Sequence, residues 1–374
     1  MSGRLLFDQG PLAGGTLFRQ PRDLIRADSI AEVSAALARV EDARASGLWV
    51  AGYLSYELGY ALIPRLHHLM PEGRAAPLIL MGVFDGPEAP PDLPRSPVRI
   101  GPAEPLWSRA DYDAAIAAVR RYIEAGDCYQ INLTFPMRAR VSGDPLAIYA
   151  ELARRQPVGE GAFVDLDGAP ILSRSPELFF AVDADRQIAT RPMKGTMPRG
   201  ATPEQDLQMA EALAASEKNR AENLMIVDLL RNDLSRVCLP GSVRVPQLFQ
   251  IEPYATVFQM TSTVTGQLHQ DAGLAQILTA LFPCGSITGA PKIRAMEIIA
   301  ELEQRPRDIY CGAIGWLDPA GPMRFNVAIR SPVLEASGQL HLQVGGGIVH
   351  DSEAGSEWEE ALCKSAFLGR SPQI

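Results

Sequence analysis

Three stretches near the C-terminal end decide the fold. They are Tyr310-Cys311-Gly312-Ala313-Ile314-Gly315-Trp316-Leu317, Arg324-Phe325-Asn326-Val327-Ala328-Ile329-Arg330-Ser331 and Leu340-His341-Leu342-Gln343-Val344-Gly345-Gly346-Gly347-Ile348-Val349. Each reads as an apolar strand. Strands that follow one another without a crossover helix pair antiparallel. Working outward, Trp49–Tyr56, Gln130–Arg138, Leu178–Val182, Gln187–Thr190 and Thr256–Thr265 read as further strands. Helices are predicted over Ser29–Ala43, Ser108–Ala125, Gln205–Arg236, Pro291–Glu303 and Ser356–Leu368. The Gln205–Arg236 helix is expected to be interrupted near its ends. The class is therefore α+β. A proline- and glycine-rich stretch, Gly86 to Pro105, divides an N-terminal region (1–105) from a larger one (106–374), which are expected to form one compact unit.

Bulk properties remove several function classes. The 374 residues are 47% hydrophobic and 21% charged, enough apolar material for a large core. A net charge of −9 argues against an extended nucleic-acid surface, although a few placed cations can still hold a small anion. No apolar run approaches the roughly 20 residues of a membrane helix, and no signal-peptide core follows Met1 to Gln9. Five scattered cysteines form no C-x-x-C pair, so neither zinc nor a disulfide framework is expected. A cytoplasmic enzyme is the default expectation.

Four segments carry chemistry. In Arg191-Pro192-Met193-Lys194-Gly195-Thr196, burial and the nearby Arg191 and Arg199 would lower the Lys194 pKa toward a reactive amine. Taken alone, the segment reads first as a loop lysine in a proline-rich turn. In Ser216 to Leu234, Leu224, Val227, Leu230 and Leu234 mark a buried helix face. Glu222 there suits a hard cation, or simply an i,i+4 pair with Lys218. Gly285-Ser286-Ile287-Thr288-Gly289-Ala290-Pro291-Lys292 places two hydroxyls and backbone N–H groups at a helix start, an arrangement for an anion or a plain glycine-rich turn.

The fourth segment joins the Gly345-Gly346-Gly347 strand to Ser356-Glu357-Trp358-Glu359-Glu360-Ala361-Leu362-Cys363-Lys364. Ser356 and Glu359 have capping-box spacing. Glu357, Glu360 and Lys364 then share a helical face, either solvated or facing a ligand beside bare glycine backbone. Arg330, expected to be buried at a strand end, needs an anionic partner.

Taken in order from about Asp111 to Leu368, these segments resemble the chorismate-utilising enzymes. Gly126-Asp127-Cys128-Tyr129-Gln130-Ile131-Asn132-Leu133-Thr134 and Ser175-Pro176-Glu177 add to the match. The resemblance implies two opposed antiparallel β-sheets flanked by helices. It implies that Glu222 and Glu360 hold Mg²⁺ against the ring carboxylate of chorismate, with Glu357 nearby. Arg330 and Tyr310 would meet the enolpyruvyl carboxylate. Gly345, Gly346 and Gly347 would offer backbone contacts, while Lys364, Thr196 and Ser286 line the same pocket.

Two positions choose among branches. Isochorismate and salicylate synthases carry a water-activating lysine where this chain has Gln130, and an amide cannot do that work. Anthranilate synthases carry alanine where this chain has Lys194. The resemblance therefore implies amination at C4 to 4-amino-4-deoxychorismate, on the route to 4-aminobenzoate and folate, with Lys194 as covalent nucleophile and Glu177 as acid. Anthranilate synthase component I activity is the alternative, and a non-catalytic chorismate-binding scaffold a remote third. The shortened N-terminal region lacks the tryptophan-pocket L-L-E-S segment, and Phe258 stands where many relatives have histidine. No G-x-C-x-G glutaminase elbow is present, so ammonia is expected from a separate glutamine amidotransferase subunit or from solution.

Overall fold

The computed structural model describes residues 3–254 and 257–369. Among them two ten-stranded sheets form, and the pairings are antiparallel throughout. In the first sheet, Gln130–Ser142 lies beside Gln339–Ile348, and the order continues through Val333–Leu334, Ile171–Ser173 and Ala162–Asp165 to Arg4–Phe7 and Thr16–Arg19. The second runs from Met193–Pro198 through Val257–Gln267, Gln187–Arg191, Leu178–Val182, Met323–Val327 and Ala313–Leu317 to Trp49–Leu54, Ile79–Phe84 and Asp23–Ala27. Strands from the first hundred residues thus extend both sheets.

Side-chain alternation explains the layering. Val50 and Leu54 join the cluster under the helices of the second sheet, while Ala51 and Tyr53 join the cluster between the sheets. Likewise Leu6 faces the helices of the first sheet, and its neighbours Leu5 and Phe7 face inward. A strand buried on both sides reads as an unbroken apolar run, which is how Trp49–Leu54 looks in sequence. Helices close the outer faces, including Ile30–Ala45 and Arg109–Glu124. Ser108 and Asp111 cap the latter reciprocally: Asp111 N donates to Ser108 Oγ and Ser108 N to an Asp111 carboxylate oxygen, both at 3.1 Å.

Several boundaries differ from the sequence reading. The three C-terminal strands do not share one sheet. Ala313–Leu317 and Met323–Val327 form a hairpin in the second sheet, whereas Gln339–Ile348 belongs to the first. The chain crosses between sheets after Val327, so Arg330, at φ +50°, lies beyond the strand and not at its end. Tyr310 and Cys311 likewise precede their strand. The Gln205–Arg236 segment is two helices, Pro203–Ala215 and Glu217–Ser235, because Ser216 leaves helical geometry and caps the second through Asn219 N. The Gly86–Pro105 connection contains two short strands, Arg99–Ile100 and Glu104–Pro105, paired with Gln130–Ser142. The last helix begins at Ala354, which puts Ser356 inside its first turn, so the Ser356–Glu359 box does not form. The expected Thr256–Thr265 strand is found at Val257–Gln267, and Thr256 is outside the described residues.

One buried ion pair joins these parts. Arg307 donates Nε and Nη2 to Glu303 at 2.9 and 2.7 Å, Nη2 also to Asn132 O at 2.7 Å, and Nη1 to Ile287 O at 3.1 Å. Its backbone N–H donates to Glu57 Oε1 at 2.7 Å, and Thr134 donates both N–H and Oγ1–H to Glu303. Removing one member of such a pair leaves a buried charge and several carbonyls unpaired. Arg307→Met is expected to lower the unfolding free energy by about 3–5 kcal/mol in denaturant titration. A loss no greater than that of a surface substitution would refute this role.

Candidate active site

Lys194 owes its position to a β-bulge. Met193 pairs with Thr261 but Thr196 pairs with Gln259, so the Met193–Pro198 strand carries one extra residue. Gly195 absorbs the irregularity at φ +99°. The neighbouring helix pins the bulge: Asn223 Nδ2 donates to Lys194 O at 3.3 Å, and its Oδ1 accepts from Ser262 Oγ at 2.6 Å. The segment that also read as a loop is therefore a bulged strand.

The Lys194 side chain enters a cavity of about 290 Å³ between the two sheets. Every residue to which the resemblance assigns a catalytic, substrate-binding or metal-binding role lines it. Gly345, Gly346 and Gly347 come from the first sheet, Lys194 and Thr196 from the second, and Glu222 from the Glu217–Ser235 helix. Glu357, Glu360 and Lys364 come from the C-terminal helix and its end, and Glu177, Ser286, Tyr310 and Arg330 from connecting segments. Asn132, Lys218, Asn219 and Gln259 also line the cavity and were given no site role from the sequence. Asn132 and Gln259 are buried polar residues inside strands. That break in an apolar run was the available signal. Gln259 accepts from Thr196 Oγ1 at 3.1 Å.

The glycines make room for charged tips. A Cβ on Gly346 would stand 3.2 Å from Glu357 Oε2 and 3.5 Å from Lys364 Nζ. A Cβ on Gly347 would stand 2.7 Å from Lys194 Nζ, too close to be tolerated without a shift. Lys364 Nζ donates to Gly345 O at 2.7 Å and pairs with Glu360 at 2.9 Å.

Burial dominates the electrostatics of the two central groups. Glu177 is fully buried, and loss of water pushes its carboxyl up to about 7. Ser286 Oγ donates to Glu177 Oε1 at 2.7 Å, which with Lys194 and Arg330 opposes that rise. Burial lowers the Lys194 pKa, opposed by Glu222, Glu177 and Glu360 and reinforced by Lys364. Lys364 is thus the helping cation. Arg191 and Arg199 are not, because they pair with Glu252 and Asp206. Arg330 has no carboxylate partner among the described residues, and burial depresses its pKa. Glu357 accepts from Ser352 Oγ at 2.7 Å, and burial raises its carboxyl.

The other anticipated arrangements are only partly present. Lys218 and Glu222 form no ion pair, which leaves Glu222 turned to the cavity. Of the two hydroxyls before the helix start near Pro291, Ser286 faces the cavity and Thr288 does not. Thr288 Oγ1 donates to the carbonyls of Cys284 and Gly285, and Lys292 is tied to Asp233 at 2.6 Å. Among the described residues no group of three or more histidine, cysteine or carboxylate side chains is assembled to hold a metal by itself. Mg²⁺ usually takes only one or two protein carboxylates and fills its shell with water and substrate. Glu222 and Glu360 in one cavity fit that donor set.

Comparisons with known proteins show the family. Residues 12–370 match the family described as chorismate binding enzyme. The aminodeoxychorismate synthase component 1 of Klebsiella aerogenes is 47% identical over 257 residues, covering 69% of this chain and 56% of that protein. The Escherichia coli protein of the same name is 45% identical over 257 residues, with the same coverage of 69% and 56%. The chain thus spans little more than half the length of these relatives. The crystal structure of anthranilate synthase component I from Streptococcus pneumoniae superposes with a TM-score of 0.77 at 25% identity, over 99% of this chain and 91% of that one. With a family match across nearly its whole length and the matching fold, the chain belongs to the chorismate binding enzyme family.

Proposed function

We propose that the chain aminates chorismate at C4 with ammonia, giving 4-amino-4-deoxychorismate for 4-aminobenzoate and folate synthesis in the cytoplasm. The observation that carries this reading is Lys194, delivered by a bulge into the cavity that also holds the buried acid Glu177. The names of the Klebsiella aerogenes and Escherichia coli relatives support it. Among the described residues no helix is long and apolar enough to cross a membrane.

Chorismate is a dianion, and the cavity offers two places for its carboxylates. Arg330, lacking a carboxylate partner, with Tyr310 beside it, suits the enolpyruvyl carboxylate. Glu222 and Glu360, with Glu357 nearby, would hold Mg²⁺, whose charge would bind the ring carboxylate when present. Thr196, Ser286, Lys364 and the Gly345–Gly347 backbone bound the ring.

The neutral Lys194 amine attacks ring C2. The two ring double bonds shift, the C4–O bond breaks, and Glu177 gives the proton that releases water. Nζ is then a secondary ammonium. Ammonia next bonds to C4, the double bonds return, and the C2–Nζ bond breaks with its electron pair going back to nitrogen. The surplus proton on the new C4 amine returns to Glu177. A separate glutamine amidotransferase subunit supplies the ammonia in this reading.

Purified chain with chorismate, Mg²⁺ and ammonium is expected to yield 4-aminobenzoate only when an aminodeoxychorismate lyase is added. Anthranilate formed without the lyase would favour the C2-aminating alternative, and absence of turnover with any ammonia source would favour a binding scaffold. Lys194→Ala should abolish the chorismate–protein adduct seen by mass spectrometry when ammonia is withheld. An undiminished adduct would place the attachment elsewhere. Because Glu177 acts as an acid with a pKa of about 7, amination should fall as pH rises through that value. Glu177→Gln should lower turnover by about 10²–10⁴-fold and remove that alkaline limb. Retention of the limb in the variant would assign it to another group.

A further inference from the structure

Gln130 opens the Gln130–Ser142 strand and is completely buried, yet neither its Oε1 nor its Nε2 has a hydrogen-bond partner. Buried amides are nearly always satisfied, so an amide with both ends free marks a place where a partner is supplied at another stage. The missing partner is close by. The point where a Cβ of Gly347 would sit is 2.7 Å from Lys194 Nζ, 2.9 Å from Gln130 Cδ and 3.1 Å from Gln130 Nε2. The lysine tip and the amide therefore crowd the same space above bare glycine backbone. Among the described residues Lys194 Nζ donates no hydrogen bond either. A half-turn about the last side-chain bond of Gln130 exchanges its oxygen and nitrogen at little cost.

We infer that Gln130 is the positioning residue for Lys194, its amide oxygen accepting a hydrogen bond from Nζ–H. This rests on the reading of Lys194 as nucleophile. A neutral amine has two N–H bonds and one lone pair. Holding one N–H at Gln130 restricts rotation of the amine and leaves the lone pair free to meet the ring. When the bond to C2 forms, nitrogen gains positive charge and keeps two N–H bonds, and the contact becomes a stronger, charge-assisted one. An amide suits this task better than a carboxylate, which would favour the protonated, unreactive lysine. The ionisable groups already acting on Nζ are Glu222 from the Glu217–Ser235 helix, Glu360 and Lys364 from the C-terminal helix and its end, and Glu177.

Two variants test the contact. Gln130→Met keeps length but removes the acceptor, and Gln130→Glu adds an anion. The pH dependence of Lys194 acetylation by trace acetic anhydride, read by mass spectrometry without substrate, reports the amine directly. In Gln130→Glu the midpoint of that profile should rise by about one to three pH units. In Gln130→Met, kcat and the rate of chorismate adduct formation should fall on the order of tenfold, with little change in KM for chorismate. A labelling midpoint unmoved in Gln130→Glu, or a kcat unchanged in Gln130→Met, overturns the inference. If the parent chain forms no chorismate adduct, the nucleophile reading fails, while the labelling profile still decides the contact.

Discussion

The site depends on a charge that the fold cannot leave unpaired. Arg307 is fully buried, and a guanidinium there is tolerable only if most of its donors find acceptors. They do so on three elements: Glu303 at the end of one helix, Asn132 in the first sheet, and Ile287 in the turn that carries Ser286. Glu57, from the N-terminal region, takes the Arg307 backbone N–H. Asn132, Ser286, Ile287 and Tyr310 all face the cavity, so the pair that satisfies Arg307 also sets one wall of it. A buried ion pair adds little net stability compared with apolar packing. What it adds here is a fixed relation among segments distant in sequence.

Within that frame, water exclusion does more than charge pairing. An amine and a carboxyl that paired freely in solvent would each favour the ionised form. In the cavity the shifts run the other way: Glu177 is raised and Lys194 lowered, because desolvation outweighs their mutual attraction. Both groups are thereby moved toward neutrality, the state in which one can donate a proton and the other an electron pair. The same desolvation depresses the pKa of Arg330, which has no carboxylate partner among the described residues.

Much of this was legible in the chain. Apolar runs such as Trp49–Leu54 announced strands, and strand succession without helices announced antiparallel sheets. The motif residues could be selected because they are chemically costly: glycines in a strand, carboxylates on an apolar helix, a lysine between proline and glycine. Less visible were residues whose cost appears only on burial. Asn223 looks like one more polar residue in a polar helix, yet it holds the Lys194 carbonyl. Asn132 and Gln259 sit in strands where their side chains have no outlet except the cavity.

Local pattern therefore determined the class of fold and the element types, because periodicity and composition act over a few residues, while the set of groups to be brought together followed from the resemblance of the ordered motifs to the chorismate-utilising enzymes. Tertiary structure decided which cation assists Lys194. Arg191 and Arg199 are nearest in sequence but are claimed by Glu252 and Asp206, while Lys364, far along the chain, reaches the amine's surroundings. It also decided that Arg324–Ser331 stops early to cross between sheets, that Ser216 breaks a helix, and that the Gln130 amide and the Lys194 amine both lie over Gly347. Those outcomes depend on which groups lose water together, and desolvation is a property of the packed molecule, not of any one segment.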